Sequence, residues 1–279
     1  MRPIILAAML LLPTVGLAQQ PTVPTPQMDP EHQQALRQAI GSPTRSITNV
    51  VRDAYRNPEH TLAFFRVEPQ HTVVEAWPGG GWYTEILAPY LEEEGKLIAA
   101  HFDPESTADY QRQSLESFEK KLDDPRGNYE HVEVTVLNYD PDTPIAEPGS
   151  ADRVLTFRNV HNWLAAGMDE SRLVFSKFHA ALKPGGMLGV VEHQAQPGTE
   201  LEQMIESGYV TQQLVTELAE EAGFELVGST PVNQNPQDTK DHPEGVWTLP
   251  PTLKLGDENR TSYLAIGESD RMTLLFRKK

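Results

Sequence analysis

The side chains best suited to proton transfer follow two apolar runs. Val154-Leu155-Thr156-Phe157 gives way to Arg158-Asn159-Val160-His161-Asn162-Trp163, and Met187 to Val191 gives way to Glu192-His193-Gln194. Histidine is the one side chain whose ordinary pKa lies near neutrality, so a general base of pKa about 6–7 is most readily a histidine. His161 is the first candidate for that role and His193 the second, with Asn159 beside them as a polar partner. A hydrogen-bonded structural role is the competing expectation for either ring. His161, His193 and Glu192 also form an N/N/O set of the kind that holds zinc. The 9 His of the chain include no H-x-x-x-H pair, however, and no metal is expected.

A third polar site is built differently. Val73-Val74-Glu75 ends an apolar run in a carboxylate, Trp77-Pro78-Gly79-Gly80-Gly81 turns the chain, and Tyr83, Ile86, Leu87, Tyr90 and Leu91 resume at helical spacing. Strand, glycine turn and helix together make a cradle. The helix start offers free N–H groups and partial positive charge, and residues without side chains admit a ligand to the backbone.

The elements that must position these groups alternate. Apolar runs at 73–75, 95–100, 132–137, 152–157, 187–191, 224–227 and 271–276 read as strands, and 84–91, 108–122, 169–182 and 209–222 as intervening helices. Helices at 31–40, 46–55 and 58–65 precede the first strand. Alternation of this kind predicts an α/β, Rossmann-like seven-stranded sheet, mostly parallel, with helices on both faces and N-terminal helices added. Ligands of such sheets sit beyond the carboxyl ends of the strands. That rule puts the glycine turn, His101, Asp103, Asp140, the Arg158–Trp163 cluster, Glu192 and His193 on one rim. Residues 31–279 are expected to form one domain, with core 66–279 and a lid-like loop at 234–267. That loop carries His242, Glu244 and Trp247, and Trp247 offers a flat apolar wall to a bound molecule. Arg52, on the polar stripe of the helix at 46–55, is either solvated or turned into the pocket.

The address is read from the start of the chain. Arg2, the apolar run Ile4–Leu12 and Gly16-Leu17-Ala18 make residues 1–18 a secretory signal peptide, too short in its apolar run to span a bilayer. Residues 19–30 follow as a flexible Pro/Thr/Gln linker, so a periplasmic or secreted mature protein is expected. The chain has 0 Cys, which removes disulfides and thiolate metal sites together. Its 40 Asp+Glu against 23 Lys+Arg give a net charge of -17, which repels phosphate backbones and anionic headgroups. A small-molecule substrate, with neither nucleic acid nor membrane as partner, is the expectation.

Taken in order, these pieces resemble the class I S-adenosylmethionine-dependent methyltransferases, over roughly residues 62–279. The carriers are the strand–Glu75–glycine turn, Asp140 after the third strand, Asp152 opening the fourth, Ala181-Leu182-Lys183-Pro184-Gly185-Gly186 before Met187–Val191, and Ala222-Gly223-Phe224 before the last strand. That strand runs antiparallel in the family. The segments WPGGGWYTEILAPYL and DHPEGVWTLPP resemble a group of exported proteins predicted to be methyltransferases.

The resemblance implies S-adenosylmethionine as cofactor and methyl transfer to a small molecule. Glu75 and the Gly79, Gly80 and Gly81 backbone would hold its amino acid end, His101 and Asp103 the ribose hydroxyls, and Tyr139 and Asp140 the adenine. Asn159 and His161 would lie between donor and acceptor, with Arg52, Arg158, Asn162, Trp163, His242 and Trp247 around the acceptor. Two positions depart from the family pattern: Trp77 stands where E-x-G-x-G-x-G has its first glycine, and His101 stands where the second strand ends in a carboxylate. The alternative is a non-catalytic small-molecule-binding protein that retains the fold. An NAD-dependent oxidoreductase is disfavoured because Trp82, Tyr83 and Thr84 follow the glycines, breaking G-x-G-x-x-G.

Overall fold

The first strand, β1 (Thr72–Ala76), lies inside the sheet, third from one edge, and carries the glycine turn on its carboxyl end. The computed structural model describes residues 28–279; the signal segment 1–18 and most of the linker lie outside them. Four helices precede β1: α1 (Pro30–Ile40), α2 (Ile47–Val50), α3 (Asp53–Arg56) and α4 (Pro58–Phe64). After it come α5 (Thr84–Leu91), β2 (Lys96–His101), α6 (Asp109–Leu122), β3 (Glu133–Val136) and β4 (Ala151–Phe157). The second half holds α7 (Val160–Ala166), α8 (Met168–Ala181), β5 (Leu182–His193), α9 (Leu201–Ser207), α10 (Gln212–Glu221) and β6 (Phe224–Ser229). A 3-10 turn (Gly245–Thr248), α11 (Arg260–Ile266) and β7 (Arg271–Lys278) complete it.

The sheet order is β3-β2-β1-β4-β5-β7-β6. The pairs β2–β3, β1–β2, β1–β4 and β4–β5 are parallel, and β7 runs antiparallel to both β5 and β6. This is the expected Rossmann-like architecture, with its antiparallel last strand. Successive strand residues point to opposite faces, so each apolar strand feeds two cores. Val74, Val154, Val190 and Leu274 pack under α7, α8 and α10, whereas Val73, Leu155, Val191 and Leu275 pack under α1, α4 and α5. Each buried Val or Leu contributes about 1.5–3 kcal/mol, so the two layers together hold the strand ends in register. Among the described residues, no helix is long and apolar enough to cross a membrane.

The helix expected at 46–55 is broken in two. Trp82 Nε1 donates to the Asn49 carbonyl at 2.9 Å, and Arg45 grips Asp53 with two bonds of 2.8 Å, so tertiary partners draw off groups that a continuous helix would use. Helices α7, α9 and α11 come in addition to the expected set. The helix end of the linker also shifts, because Pro30 already belongs to α1, with Asp29 accepting from Glu31 N.

Candidate functional site

The carboxyl ends of β1, β4 and β5 open on one cavity of about 300 Å³. Glu75, Gly79, Gly80, Asn159, His161, His193, Arg52, Arg158 and Trp247 all line it, joined by Trp82, Tyr83, Phe157, Glu268 and Ser269. The structure therefore brings together residues from five separated segments that the sequence singled out. Gly81, which packs against Lys121 and Phe118, and His101, Asp103, Tyr139, Asp140, Asn162, Trp163 and His242 stand apart from it.

The histidine pair is organised by Glu192, which is completely buried. Its Oε2 accepts from Val160 N at 2.6 Å and His161 N at 3.4 Å, while Oε1 accepts from His193 N at 2.8 Å and pairs with His161 Nδ1 at 3.0 Å. The carboxylate so caps α7 and places the proton of His161 on Nδ1, leaving Nε2 as the free acceptor. His193 pairs through Nδ1 with Ser269 Oγ at 2.5 Å, and burial followed by the neighbouring His161 pushes its pKa well below the usual histidine range. His193 is thus a neutral ring, and His161 is the base-capable one. The ligand-capable atoms of His161, Glu192 and His193 do lie within 4.8 Å of one another. The carboxylate is already fully engaged by four N–H groups, which is the bonding of an orienting residue rather than a metal ligand.

Asn159 is a clip as much as a lining residue. Its Nδ2 reaches Ala76 O at 2.9 Å, Trp77 O at 3.3 Å and Thr156 Oγ1 at 3.2 Å, tying the end of β4 to the turn after β1. Glu75 accepts from Thr84 Oγ1 at 2.7 Å, and burial pushes it up to about 7, against the smaller opposing effects of Thr84 and Lys121. Tyr83 stacks on Phe157 with centroids 3.5 Å apart and forms an aromatic wall.

The nucleoside end of the expected cofactor meets a different environment. Trp77 has φ +43, the left-handed backbone for which the family pattern supplies glycine, so the turn keeps its shape and adds an indole. That indole is 7% exposed and donates to the Leu137 carbonyl, just after β3, at 2.8 Å. It packs on Phe102 at 4.7 Å, Trp163 at 5.6 Å and Tyr139 at 6.3 Å. Its neighbours are thus side chains that follow β2 and β3, together with Trp163 of α7. His101 is completely buried; its Nδ1 accepts from Phe102 N, so Nε2 is the donor to Gly79 O at 3.1 Å and neither nitrogen is left for a ribose hydroxyl. Asp103 is held by Asn138 Nδ2 at 2.8 Å, and exposed Asp140 closes its own turn through Asp142 N and Thr143 Oγ1. The cradle at Gly79 and Gly80 is open, with nothing within 4 Å of either missing side chain. Beyond β2 and β3, then, the residues expected to hold the nucleoside are bonded to and packed on one another.

The remaining expected substrate residues have structural partners. Trp163 is wholly buried against Trp77, Phe175 and Phe178, and Asn162 is exposed. His242 Nε2 bonds Asp238 Oδ1 at 2.9 Å, anchoring the 234–267 loop, and it is Val246, Trp247, Pro250, Pro251 and Thr252 that bring this loop to the cavity. The sequence reading missed Glu268 and Ser269, which lie just before β7 in a stretch without periodicity. It weighed Glu192 only as a metal ligand.

No protein-family model matches the chain, and no curated protein matches it in sequence. Solved structures do match. A SAM dependent methyltransferase from Aquifex aeolicus superposes with a TM-score of 0.53 at 15% identity, over 91% of this chain and 100% of that one. The 4+2 cyclase SpnF superposes with a TM-score of 0.53 at 13% identity, over 93% of this chain and 98% of that one. The chain has the class I methyltransferase fold.

Proposed function

We propose that this chain is a small-molecule-binding protein that retains the methyltransferase fold without its nucleoside site, and that its ligand occupies the cavity beside the glycine turn. The observation that carries this is Trp77. Its indole is buried among the residues that follow β2 and β3, where the resemblance puts the cofactor's nucleoside, and this supports the reading, as does the separate cavity open between β1, β4, β5 and the 234–267 loop. SpnF, named as a cyclase, shares the fold, which supports separating fold from methyl transfer. Within the cavity, His161 held by Glu192 supplies an acceptor nitrogen, so proton transfer to or from a bound molecule is chemistry the site is equipped for.

Calorimetric titration of the protein with S-adenosylmethionine and with its demethylated product tests this directly. Neither is expected to give saturable heat up to about 1 mM, a free energy of roughly -4 kcal/mol. Saturable binding of either ligand would return the protein to methyl transfer, the second reading, which the open backbone at Gly79 and Gly80 favours. Export belongs to the same proposal: N-terminal sequencing of protein recovered from the producing cells is expected to begin at Gln19, and an intact Met1 would refute it.

A further inference from the structure

Four guanidinium groups converge on one side of the cavity, and a single carboxylate answers them. Arg52 Nε donates to Glu268 Oε1 at 2.6 Å, Arg56 Nε to Oε2 at 3.4 Å, and Arg271 Nη1 lies 3.3 Å from the same oxygen. Arg271 is otherwise engaged by the carbonyls of Ser269 at 3.1 Å and Tyr55 at 2.9 Å, and Arg56 lies 4.7 Å over the Trp82 ring. Burial alone would raise the Glu268 carboxyl, but the guanidiniums of Arg271, Arg56 and Arg158 outweigh it and bring it down to about 2. One carboxylate is therefore already committed, and positive charge is left over.

The surplus has a location. The Arg158 side chain makes no hydrogen bond or ion pair among the described residues, although three other arginines and Glu268 lie close enough to perturb it. Burial pushes it down to about 10; Glu268 opposes, and Arg271 and Arg52 add to the fall. Its backbone is held at φ +62 directly after β4, a costly conformation for a residue with a side chain, which fixes where the guanidinium starts. Beside it, Arg52 Nη2 is buried without a hydrogen-bond partner. Both residues line the cavity. A buried donor left unpaired costs about 1–3 kcal/mol, more when charged, so Arg52 Nη2 together with the half-buried, unpaired Arg158 in the same wall marks a place where a ligand completes the bonding. The surplus is also opposite in sign to the whole chain, whose net charge is -17.

We infer that the cavity binds a small organic oxyanion, a carboxylate or a phosphate monoester, with its anionic group against the guanidiniums of Arg158 and Arg52 and the rest of the molecule against Trp82, Tyr83 and Trp247. Guanidinium matches the planar, two-oxygen geometry of such groups better than ammonium does. His161 Nε2 lines the same cavity and is the acceptor for any proton the ligand carries there. A volume of about 300 Å³ restricts the ligand to metabolite size and excludes polymers. This inference rests on the reading that the ligand is not S-adenosylmethionine.

The test is isothermal titration of the full chain with malonate, inorganic phosphate and a small phosphate monoester, repeated on Arg158→Gln and Arg158→Lys. At least one anion is expected to bind at a single site. Arg158→Gln should weaken it about tenfold or more, and Arg158→Lys should weaken it less. Carboxylate against phosphate preference is read from the same series. Thermal unfolding of Arg158→Gln controls for folding and is expected at or above the wild-type midpoint, since the change removes an unpaired charge. If no anion binds, or if the wild type and Arg158→Gln bind equally, the inference is overturned while the small-molecule reading stands for a neutral ligand. Saturable S-adenosylmethionine binding would instead remove the reading beneath it.

Discussion

Glu192 is the residue on which the cavity's proton chemistry depends, because one carboxylate fixes both histidines and the start of α7. Its four N–H partners come from Val160, His161 and His193. Glu192→Gln keeps the shape but turns one acceptor into a donor facing backbone N–H groups. We expect a loss of about 1–3 kcal/mol in unfolding free energy and a change of His161 tautomer seen by NMR of its ring nitrogens. An unchanged tautomer would mean that Glu192 does not set it. Glu75 makes a second prediction at this scale. Its folded pKa, raised by burial from 4.5 to about 7, means the folded chain holds this proton more tightly than the unfolded chain does. The associated stability is fully present below pH 4.5 and is lost as pH rises through about 7, to the extent of roughly 3 kcal/mol. Glu75→Gln should flatten that slope in urea unfolding at pH 5 and pH 8; a variant with the wild-type slope would exclude Glu75 as its source. Residue types and strand-end positions made these groups legible in the sequence. Their pairings were not, since Glu192 and His161 are 31 residues apart and only the β4–β5 register brings them together.

At the scale of elements, the strands were readable because their apolar runs are two-sided, and α8 because its stop at Pro184-Gly185-Gly186 is local. Helix α7 was hidden for the opposite reason: its cap is a side chain from another strand. Similarly, the 46–55 segment has a helical pattern, and only Trp82 and Arg45, once folded, show why it breaks. The 234–267 loop lacks periodicity because it is held by polar anchors instead. Asp238 accepts from Tyr209 Oη at 2.9 Å, Asp270 N at 2.7 Å and His242 Nε2 at 2.9 Å. Gly245 sits at φ +53 with its missing Cβ 2.0 Å from the Ser207 carbonyl, so the loop docks on the end of α9 through a position that admits only glycine. Gly245→Ala is expected to cost about 1–3 kcal/mol and to expose residues 234–267 to limited proteolysis. A cleavage pattern identical to the wild type would show that the loop is held elsewhere.

For the molecule as a whole, the sheet order and the rim of strand ends followed from alternation alone, and the resemblance to methyltransferases was carried by real structural correspondence. What failed to carry over lies along half of that rim. Beyond β1, β4 and β5 the rim opens on the cavity; beyond β2 and β3 it is packed with the chain's own aromatic rings. The two departures visible in the sequence, Trp77 and His101, mark the boundary between these halves. Net charge acts at this scale too. A charge of -17 repels itself, so thermal midpoints should rise by about 2–5 °C between low salt and 0.15 M salt. Arg158→Gln should show the same rise, which separates general screening from anion filling of the cavity. A rise confined to the wild type would assign it to the cavity.

A dissociable nucleoside makes a protein's folded population track the concentration of that metabolite. The indole of Trp77 is covalently part of the chain and cannot leave. On the proposed reading the hollow beyond β2 and β3 is furnished once, at folding, and its shape owes nothing to any supply of adenosine compounds in the surroundings. On that reading the protein keeps one form in rich and depleted media alike, and it is the cavity next door whose occupancy varies.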